Sequence, residues 1–554
     1  KARIQGAKEQ IAGICQEIVS DPENSLGLLR RLHTFSLSEI STPSRPEPVP
    51  NDPIIRKLAL LSQLAVFKDI IPGYRIRALT DKEKEEKVGQ MVARTRDWEQ
   101  GLVSVYQAYL RSLEHELKAR EGLEDVALRS MCTLLTEVTH FNFRVNLMGA
   151  IIARLSKRSW DETSDLCLNT VITVFRTDET GVPSLEIVRL LNRMVEERRF
   201  NIHPDVLSCL LRLRLKTELG IRSSGAKVER DEPQAKGKKG KDKNKPHVSK
   251  KGKKVQKERK EIEKDMKEAE AEVDKEERSA NQTDTLKLLF VLYFRILKNP
   301  VPTPLLPAAL QGIAKFAHLV SIDFFKDLMR VLKELIAREA LAHEDDGALP
   351  TTVGSNHVRL QLSCIVTAFE LLSGQGEALN VDLSDFVAQL YALILPLSLV
   401  PDIAQAPSTA SRGPSAGTGP KPPPQGTTDA LLFRALHLAF SPRSFSAGAS
   451  PPWRAAAFAK RLLAAALHWP AGVAVRVLAF VEELVGRDAK LEALLATEER
   501  TVDGVYRPET DDPQLSNPFA SSAYELCLLQ TRHPDAGVRA AAARLGRLPL
   551  VAKS

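Results

Sequence analysis

Three short patterns in the 554-residue sequence contain residue types that enzymes use in catalysis. Residues 413–417 match the nucleophile pattern Gly-x-Ser-x-Gly, but such a serine must stand between a strand and a helix, and this one lies in a Pro/Gly/Ser-rich run. The Gly-Lys repeats at 237–254 lack the spacing and flanking elements of a phosphate-binding loop. His115-Glu116 has no second His four residues on, as a zinc-binding helix requires. We therefore predict no catalytic residue, no metal site and no cofactor.

The clearest chemical signal is a run of basic side chains at 236–260, which we call the basic arm. Residues 221–260 carry sixteen Lys or Arg and only five Asp or Glu, so the rest of this chain of net charge +8 is close to neutral. Flexible lysines neutralise phosphates through counterion release, but no aromatic residues are interleaved to stack on bases. Three readings stay open: RNA contact, a nuclear localisation signal, or a solvated linker. The basic residues of the arm are Lys236, Lys238, Lys239, Lys241, Lys243, Lys245, Lys250, Lys251, Lys253, Lys254, Lys257, Arg259 and Lys260.

A second stretch, FKDIIPGYRIR at residues 67–77, interrupts a helical pattern. Pro72-Gly73 predicts a structural turn of type II, with glycine at positive φ. One glycine cannot form a nest of successive amides, so the stretch is not predicted to cradle a phosphate.

The residues after this turn, 74–77, are predicted to form an extended strap because aromatic, basic and aliphatic side chains alternate there. Alternation places Tyr74 and Ile76 on an inner side, and Arg75 and Arg77 on the outer side. We expect Tyr74 to be structural. The two arginines either contact a partner or RNA, or pair with nearby acids of the same chain.

The remaining sequence predicts an all-α protein. Aromatic residues make up only 5% of the chain, which suits stacked helices better than a β-sandwich. The six cysteines lie far apart, as expected of core residues in a reducing compartment. No apolar run is long enough to span a membrane, and no signal peptide is recognised. Since the sequence begins at Lys1, we expect an N-terminal segment to precede it.

Helical patterns of about 15–18 residues recur along the chain, separated by short Pro- or Gly-containing turns. Such units cannot bury their apolar faces alone, so the pattern indicates a HEAT-like α-solenoid with disordered basic and Pro/Gly-rich insertions. The predicted division is N-terminal helices at 1–40, a Pro-rich linker at 41–53, a helical-repeat domain at 54–220, a Lys-rich then acidic linker at 221–280, and a C-terminal helical domain at 281–554 with a loop at 406–426.

Two local expectations concern the start of the repeat domain. Five prolines within 41–53 are predicted to exclude both helix and strand. Asp52-Pro53 predicts a helix start, with an N-cap acceptor followed by proline in the first turn. The inner face of that helix is predicted to consist of Ile54, Ile55, Leu58, Leu61 and Ala65.

A long helix is predicted at 82–119, because apolar residues recur there every three or four positions. This seam is expected to pack inside the same chain rather than in a coiled coil. Its members are Val88, Met91, Thr95, Trp98, Leu102, Val105 and Tyr109.

Several blocks closely resemble the nucleolar complex-associated protein three family. They are KLALLSQLAVFKDIIPGYRIRALTDKEKEEKV at 57–88, THFNFRVNLMGAIIARLSKRS at 139–159, FFKDLMRVLKEL at 324–335 and NVDLSDFVAQLYALI at 380–394. Residues 511–545 resemble the end of the CCAAT-binding-factor domain that this family shares with nucleolar relatives. The sequence departs from the family at Tyr524, where Trp is common, and at Arg532-His533-Pro534, which replaces a longer turn.

The resemblance implies an α-helical scaffold in the nucleus and nucleolus that is not an enzyme and takes no small-molecule substrate. It implies a role in maturation of large-subunit ribosome precursors, with nucleolar complex-associated protein two, pre-rRNA and other assembly factors as partners, and with chromatin as a further one. Two alternatives stay open: a chromatin adaptor for replication licensing, and a transport-receptor-like solenoid that binds cargo. No DNA-reading motif is recognised.

Overall fold

The structure is a computed structural model, and it describes fourteen stretches of the chain. They are residues 2–42, 45–80, 89–119, 122–215, 275–301, 303–316, 319, 322–345, 352–375, 383–400, 402–405, 427–440, 451–495 and 504–548. These residues are overwhelmingly helical, which confirms the predicted all-α class. The basic arm and the loop at 406–426 lie outside the described residues.

The chain forms two compact units, the first over Lys1–Leu292 and the second over Tyr293–Ala410 with Lys421–Ser554. The five-part division made from sequence stays a prediction. In the N-terminal part of the chain the elements are α1 (Ala2–Ser20), α2 (Leu26–Thr34), β1 (Glu39–Thr42), β2 (Arg45–Pro50), α3 (Pro53–Ile70), α4 (Gln90–Ala119), α5 (Glu124–Glu137), α6 (Arg144–Leu155), α7 (Glu162–Thr177), α8 (Val182–Glu197), a 3₁₀ segment (Pro204–Arg212) and α9 (275–297).

Alternate helices of the first unit pack side by side. One row consists of α1, α3, α5, α7 and the 3₁₀ segment, and α6 packs on α8 in a second row. Each helix also contacts a sequence neighbour, as α4 with α5 and α6 with α7. Stacked helix pairs of this kind bury apolar faces that no single pair could cover, which is the arrangement of an α-solenoid.

The Pro-rich segment at 41–53 contains a strand, so the prediction that its prolines exclude strand is wrong. β1 and β2 form an antiparallel hairpin in which Ile40 lies opposite Val49. Pro46, Pro48 and Pro50 alternate along β2, so the positions that lack an N–H all face the outer edge of this two-stranded sheet. The next amide in the ladder, Asn51 N–H, donates to the Ser38 carbonyl at 2.8 Å.

Helix α3 begins as predicted but buries a different face. The Asp52 side chain accepts from the Ile54 amide, with Pro53 in the first turn. Of the five residues predicted to face inward only Ile55 is buried, and Ile54 is 54% exposed. The buried face of α3 also contains Arg56, which forms a buried ion pair with Glu116 of α4. Its members are Ile55, Arg56, Ala59, Leu60, Gln63, Val66, Phe67 and Ile70.

Among its described members, the seam of the long helix is buried in only one half; Val88 lies outside the described residues. Leu102, Val105 and Tyr109 are buried against the rest of the first unit, whereas Met91 is 75% exposed. The described part of this helix, α4, begins at Gln90. The seam therefore packs within the chain, as predicted, over its C-terminal half.

The remaining described elements are also helical. They are α10 (Leu306–Phe316), α11 (Ile322–Asp345), α12 (Thr352–Gln375), α13 (Ser384–Ser398), α14 (Thr428–Ala439), α15 (Pro452–Ala466), α16 (Ala471–Arg487), α17 (Glu492–Leu495), α18 (Tyr524–Arg532) and α19 (Ala536–Gly546), with short 3₁₀ turns at Ala489–Leu491 and Pro518–Ala520. α12 packs on both α10 and α14, and α15 packs on α13 and α16. The stacking of alternate helices is thus repeated in the second unit.

A buried charge cluster joins α15 to the segment at 504–525. Lys460 is fully buried, and its Nζ donates to both carboxylate oxygens of Glu525 at 2.8 Å and to the Ser522 carbonyl at 2.7 Å. The neighbouring Arg461 donates to the backbone carbonyls of Pro508 and Thr510. Because these cations satisfy otherwise unpaired carbonyls, they fix an irregular segment against a helix.

The described residues also bear on the membrane and metal predictions. No helix among them is long and apolar enough to cross a membrane. No group of three or more His, Cys, Asp or Glu among them is arranged to hold a metal ion. Four of the six cysteines are buried, at positions 132, 167, 209 and 364.

Candidate functional site

The strap at 74–77 follows directly from the end of α3. Ile71 has an extended backbone (φ −67°, ψ 125°), as expected because the residue before a proline avoids the helical region. Gly73 is not among the described glycines with positive φ, so the predicted type II turn at Pro72-Gly73 is wrong. The structural turn is a bend set by Pro72 and does not require glycine's conformational freedom.

The strap is held by a loop that follows α5. Asn142 binds the backbone of Ile76 in both directions: its Oδ1 accepts from the Ile76 amide at 3.0 Å, and its Nδ2 donates to the Ile76 carbonyl at 2.9 Å. His140 Nε2 lies 2.9 Å from the Pro72 carbonyl oxygen. Since Ile76 itself is only 3% exposed, the middle of the strap is fixed by side chain and backbone together.

An aromatic cluster supports this loop from the interior. The Phe67 ring of α3 lies 5.2 Å from the rings of both Tyr106 and Tyr109 of α4, and Tyr106 lies 5.2 Å from Phe141. These centroid distances are those of favourable aromatic pairs. Phe141 is next to Asn142, so the cluster anchors the residue that grips the strap.

Tyr74 differs from the prediction. It is 54% exposed, so it does not share a buried side with Ile76. Its hydroxyl donates to Glu99 Oε1 of α4 at 2.6 Å, and this hydrogen bond raises the pKa of the phenol. The ring is amphipathic, and a polar partner at the surface positions its hydroxyl there instead of in the core.

Arg75 and Arg77 are exposed on the outer side, where alternation places them. The Gln100 side chain of α4 donates to the Arg77 carbonyl at 3.1 Å, so this end of the strap is also held. The arrangement presents an aromatic ring and two guanidiniums on a fixed backbone. It has the chemistry of a binding surface and no nucleophile or paired acid and base.

Sequence reasoning recognised the stretches at 57–88 and 139–159 separately but did not predict that they touch. The residues it missed are His140, Asn142, Glu99 and Gln100. Asn142 and Ile76 are 66 positions apart, and no spacing rule connects them. The thirteen basic residues of the arm, Lys236 to Lys260, lie outside the described residues, so their contribution stays a prediction.

Two family models match the sequence. Residues 6–109 match the model described as nucleolar complex-associated protein, and residues 361–542 match that of the CBF/Mak21 family. The first match contains the strap.

Similar proteins come from animals and fungi. The nucleolar complex protein 3 homolog of Danio rerio is 33% identical over 96% of this chain and 62% of its own length. Nucleolar complex-associated protein 3 of Schizosaccharomyces pombe is 31% identical over 97% of this chain and 70% of its own length. The Saccharomyces cerevisiae protein of the same name is 36% identical over 86% and 71%, respectively. The chain thus spans somewhat less than two thirds of the animal relative.

Proposed function

This chain belongs to the nucleolar complex-associated protein 3 family, and we propose that it is an assembly factor for precursors of the large ribosomal subunit. The family is nucleolar and non-enzymatic, so the chain is a nuclear protein without a catalytic role. Its helical units serve as a scaffold that holds a sister nucleolar complex protein and pre-rRNA in a fixed relation.

The observation that carries the proposal is the fixed strap. Its backbone is hydrogen-bonded to Asn142 and Gln100, while Tyr74, Arg75 and Arg77 point outward. Tyr and Arg are the residues that most often dominate the energy of protein interfaces. A backbone fixed in advance also loses little entropy on binding. The strap is therefore proposed to contact the sister protein, nucleolar complex-associated protein two, through an acidic surface of that protein.

The basic arm is proposed to attract pre-rRNA. Its lysines would neutralise phosphates without reading sequence, so binding should weaken steeply as salt increases. Deletion of 236–260 should lower RNA affinity and flatten its dependence on salt. Unchanged RNA binding combined with loss of nuclear import would leave the arm only a localisation role.

The strap is tested by exchanging Arg75 and Arg77 for Glu in the full chain and measuring recovery of the sister protein from cells. The matched control exchanges Arg30 and Arg31 for Glu, two adjacent exposed arginines on α2 of the same unit. The proposal expects loss of the sister protein with the strap variant only. Equal recovery with both variants would refute the proposed contact.

Crosslinking in cells tests the assembly role against the two alternatives. Dominant crosslinks to large-subunit pre-rRNA support the proposal. Crosslinks to origin DNA without RNA would indicate a replication-licensing adaptor, and capture of nuclear-pore repeats would indicate a transport receptor.

A further inference from the structure

A second charged surface lies where two helices of the first unit end side by side. α6 ends at Leu155 and α8 ends at Glu197, and the residues after them line an open groove of about 820 Å³. Four of the lining residues are cations, namely Lys157, Arg158, Arg198 and Arg199. All four side chains are exposed. We call this surface the basic groove.

The two loops that form the basic groove are fixed to each other. The Trp160 ring of the first loop lies 4.6 Å from the His203 ring of the second, and both residues are buried. The Trp160 Nε1–H also donates to Asp165 at 2.8 Å. Across the groove Arg198 donates to the Ser156 hydroxyl at 3.1 Å. These contacts fix the two loops relative to each other, and so they also fix the backbone positions that carry the four cations.

Arg199 occupies a position that ordinarily takes glycine. The Phe200 amide donates to the Val195 carbonyl and the Arg199 amide to the Glu196 carbonyl, the two bonds of a Schellman motif. Arg199 has φ of 50° and Phe200 has φ of 61°, in the left-handed region that glycine adopts without strain. Strained residues of this kind cluster at functional sites. Arg199 therefore places a guanidinium at a position where the backbone is strained for any residue other than glycine.

Acidic side chains do not neutralise the basic groove. Glu197 is the one acid of its lining, and Glu197 pairs with Arg193 of the same helix at 2.7 Å. Within the part of the chain that the structure describes, no ion pair reaches Lys157, Arg158 or Arg199. The groove therefore presents concentrated positive charge to solvent.

The lining also indicates which polyanion fits. It consists of Ser, Lys, Arg, Glu and Asn side chains without a large apolar residue. A protein segment would ordinarily need a pocket for an apolar or aromatic anchor, whereas a phosphate backbone is bound by arginine forks, lysines and hydroxyls. We propose that the basic groove binds the phosphodiester backbone of RNA. This inference rests on the proposed role in pre-rRNA binding and assigns that role a site on the folded unit.

The test compares RNA binding by the full chain and by the variant Lys157→Ala, Arg158→Ala, Arg199→Gly. The probe is a fluorescent polyuridine oligonucleotide, titrated at several salt concentrations, with and without deletion of 236–260. The matched control is Arg30→Ala, Arg31→Ala, Lys57→Ala, three exposed cations elsewhere in the same unit. Loss of three phosphate contacts should lower the slope of log affinity against log salt by about 2, at roughly 0.7 per contact. The control should retain the original slope.

Unfolding of the groove is separated from loss of charge by Arg199→Gly alone. Glycine relieves the positive φ, so this variant should melt no lower than the wild type while its RNA affinity falls. Equal slopes for the groove variant and the control would overturn the inference but leave RNA binding elsewhere on the chain intact. Absence of polyuridine binding by the wild type would overturn both the inference and the proposed role. Polyglutamate is the competitor that tests for an acidic protein ligand. If it displaces polyuridine at equal charge concentration and binds as tightly as the RNA, the ligand of the groove is an acidic protein segment and the inference is overturned.

Discussion

The buried ion pair Lys460–Glu525 gives a direct test of what holds the second unit together. Lys460 is 0% exposed and Glu525 is 1% exposed. The Lys460 ammonium also lies 4.2 Å from the centroid of the Tyr524 ring and 5.1 Å from that of Tyr506. One cation thus joins a helix to four positions of the segment that follows α17, namely Tyr506, Ser522, Tyr524 and Glu525.

Replacing Lys460 by Met leaves the Glu525 carboxylate buried without its cation. Removing one partner of a buried pair costs about 3–5 kcal/mol. At about 2–4 °C per kcal/mol for a unit of this size, the midpoint of thermal unfolding should fall by roughly 10 °C. The double variant Lys460→Met, Glu525→Leu removes both charges and should be more stable than the single variant, because no uncompensated charge remains.

The assay is thermal and urea unfolding followed by circular dichroism, with hydrogen exchange of the peptides covering 504–532. The matched control is Lys333→Met, which breaks the solvent-exposed pair with Asp385 (side chains 41% and 66% exposed) and should cost less than about 1 kcal/mol. A loss at Lys460 no larger than that at Lys333 would refute the reasoning. The reasoning would also be refuted if the double variant lost as much stability as the sum of the losses in the single variants Lys460→Met and Glu525→Leu.

Three further predictions concern the first unit. Asn142→Ala removes both hydrogen bonds to Ile76 and should lower the free energy of unfolding by about 1–3 kcal/mol, with faster amide exchange at 72–80; unchanged exchange would contradict the clamp. Burial lowers the pKa of His33 below its ordinary 6.5, so the unfolded state binds more protons and stability should decline as pH falls below about 6.5. His33→Gln should abolish this dependence of stability on pH, measured as the free energy of unfolding in urea titrations at several pH values. An unaltered dependence would show that another group causes it. Asp161→Ala removes the cap on the Ser164 amide and should cost about 1 kcal/mol, measured against exposed Asp97→Ala.

Helices were predicted well because their signals are local. Apolar spacing predicts helices at 123–139, 144–157, 163–176 and 183–198, within a few residues of α5 to α8. Asp52-Pro53 gives the start of α3 because a cap needs only its own neighbours. α10 is a helix that the sequence analysis did not predict. Pro307 lies in the first turn of that helix, where a missing N–H leaves no bond unmade.

Errors arose where distant residues decide the outcome. The hairpin at 39–50 depends on pairing between strands, and proline is tolerated there because it faces the open edge. The inner face of α3 contains Arg56 because Glu116, sixty positions away, neutralises it. Tyr74 points outward because Glu99 of α4 binds its hydroxyl.

The sequence predicts only part of the candidate site, because the rest depends on contacts between distant residues. The extended strap and its outward arginines follow from alternation, a local property. Its fixation by Asn142 and the basic groove between two helix ends both require the fold. In sequence, Lys157-Arg158 and Arg198-Arg199 look like ordinary helix-terminal cations.

The central claim is that this chain holds a sister nucleolar protein and pre-rRNA together without catalysing a reaction. Its most direct test is purification of the tagged full-length protein from nucleoli, followed by ultraviolet crosslinking and sequencing of bound RNA, with the bound proteins identified in the same sample. We predict large-subunit pre-rRNA and one stoichiometric nucleolar complex protein, both reduced when the strap arginines and the basic groove are substituted together. Recovery of origin DNA or pore repeats, without pre-rRNA, would contradict the claim.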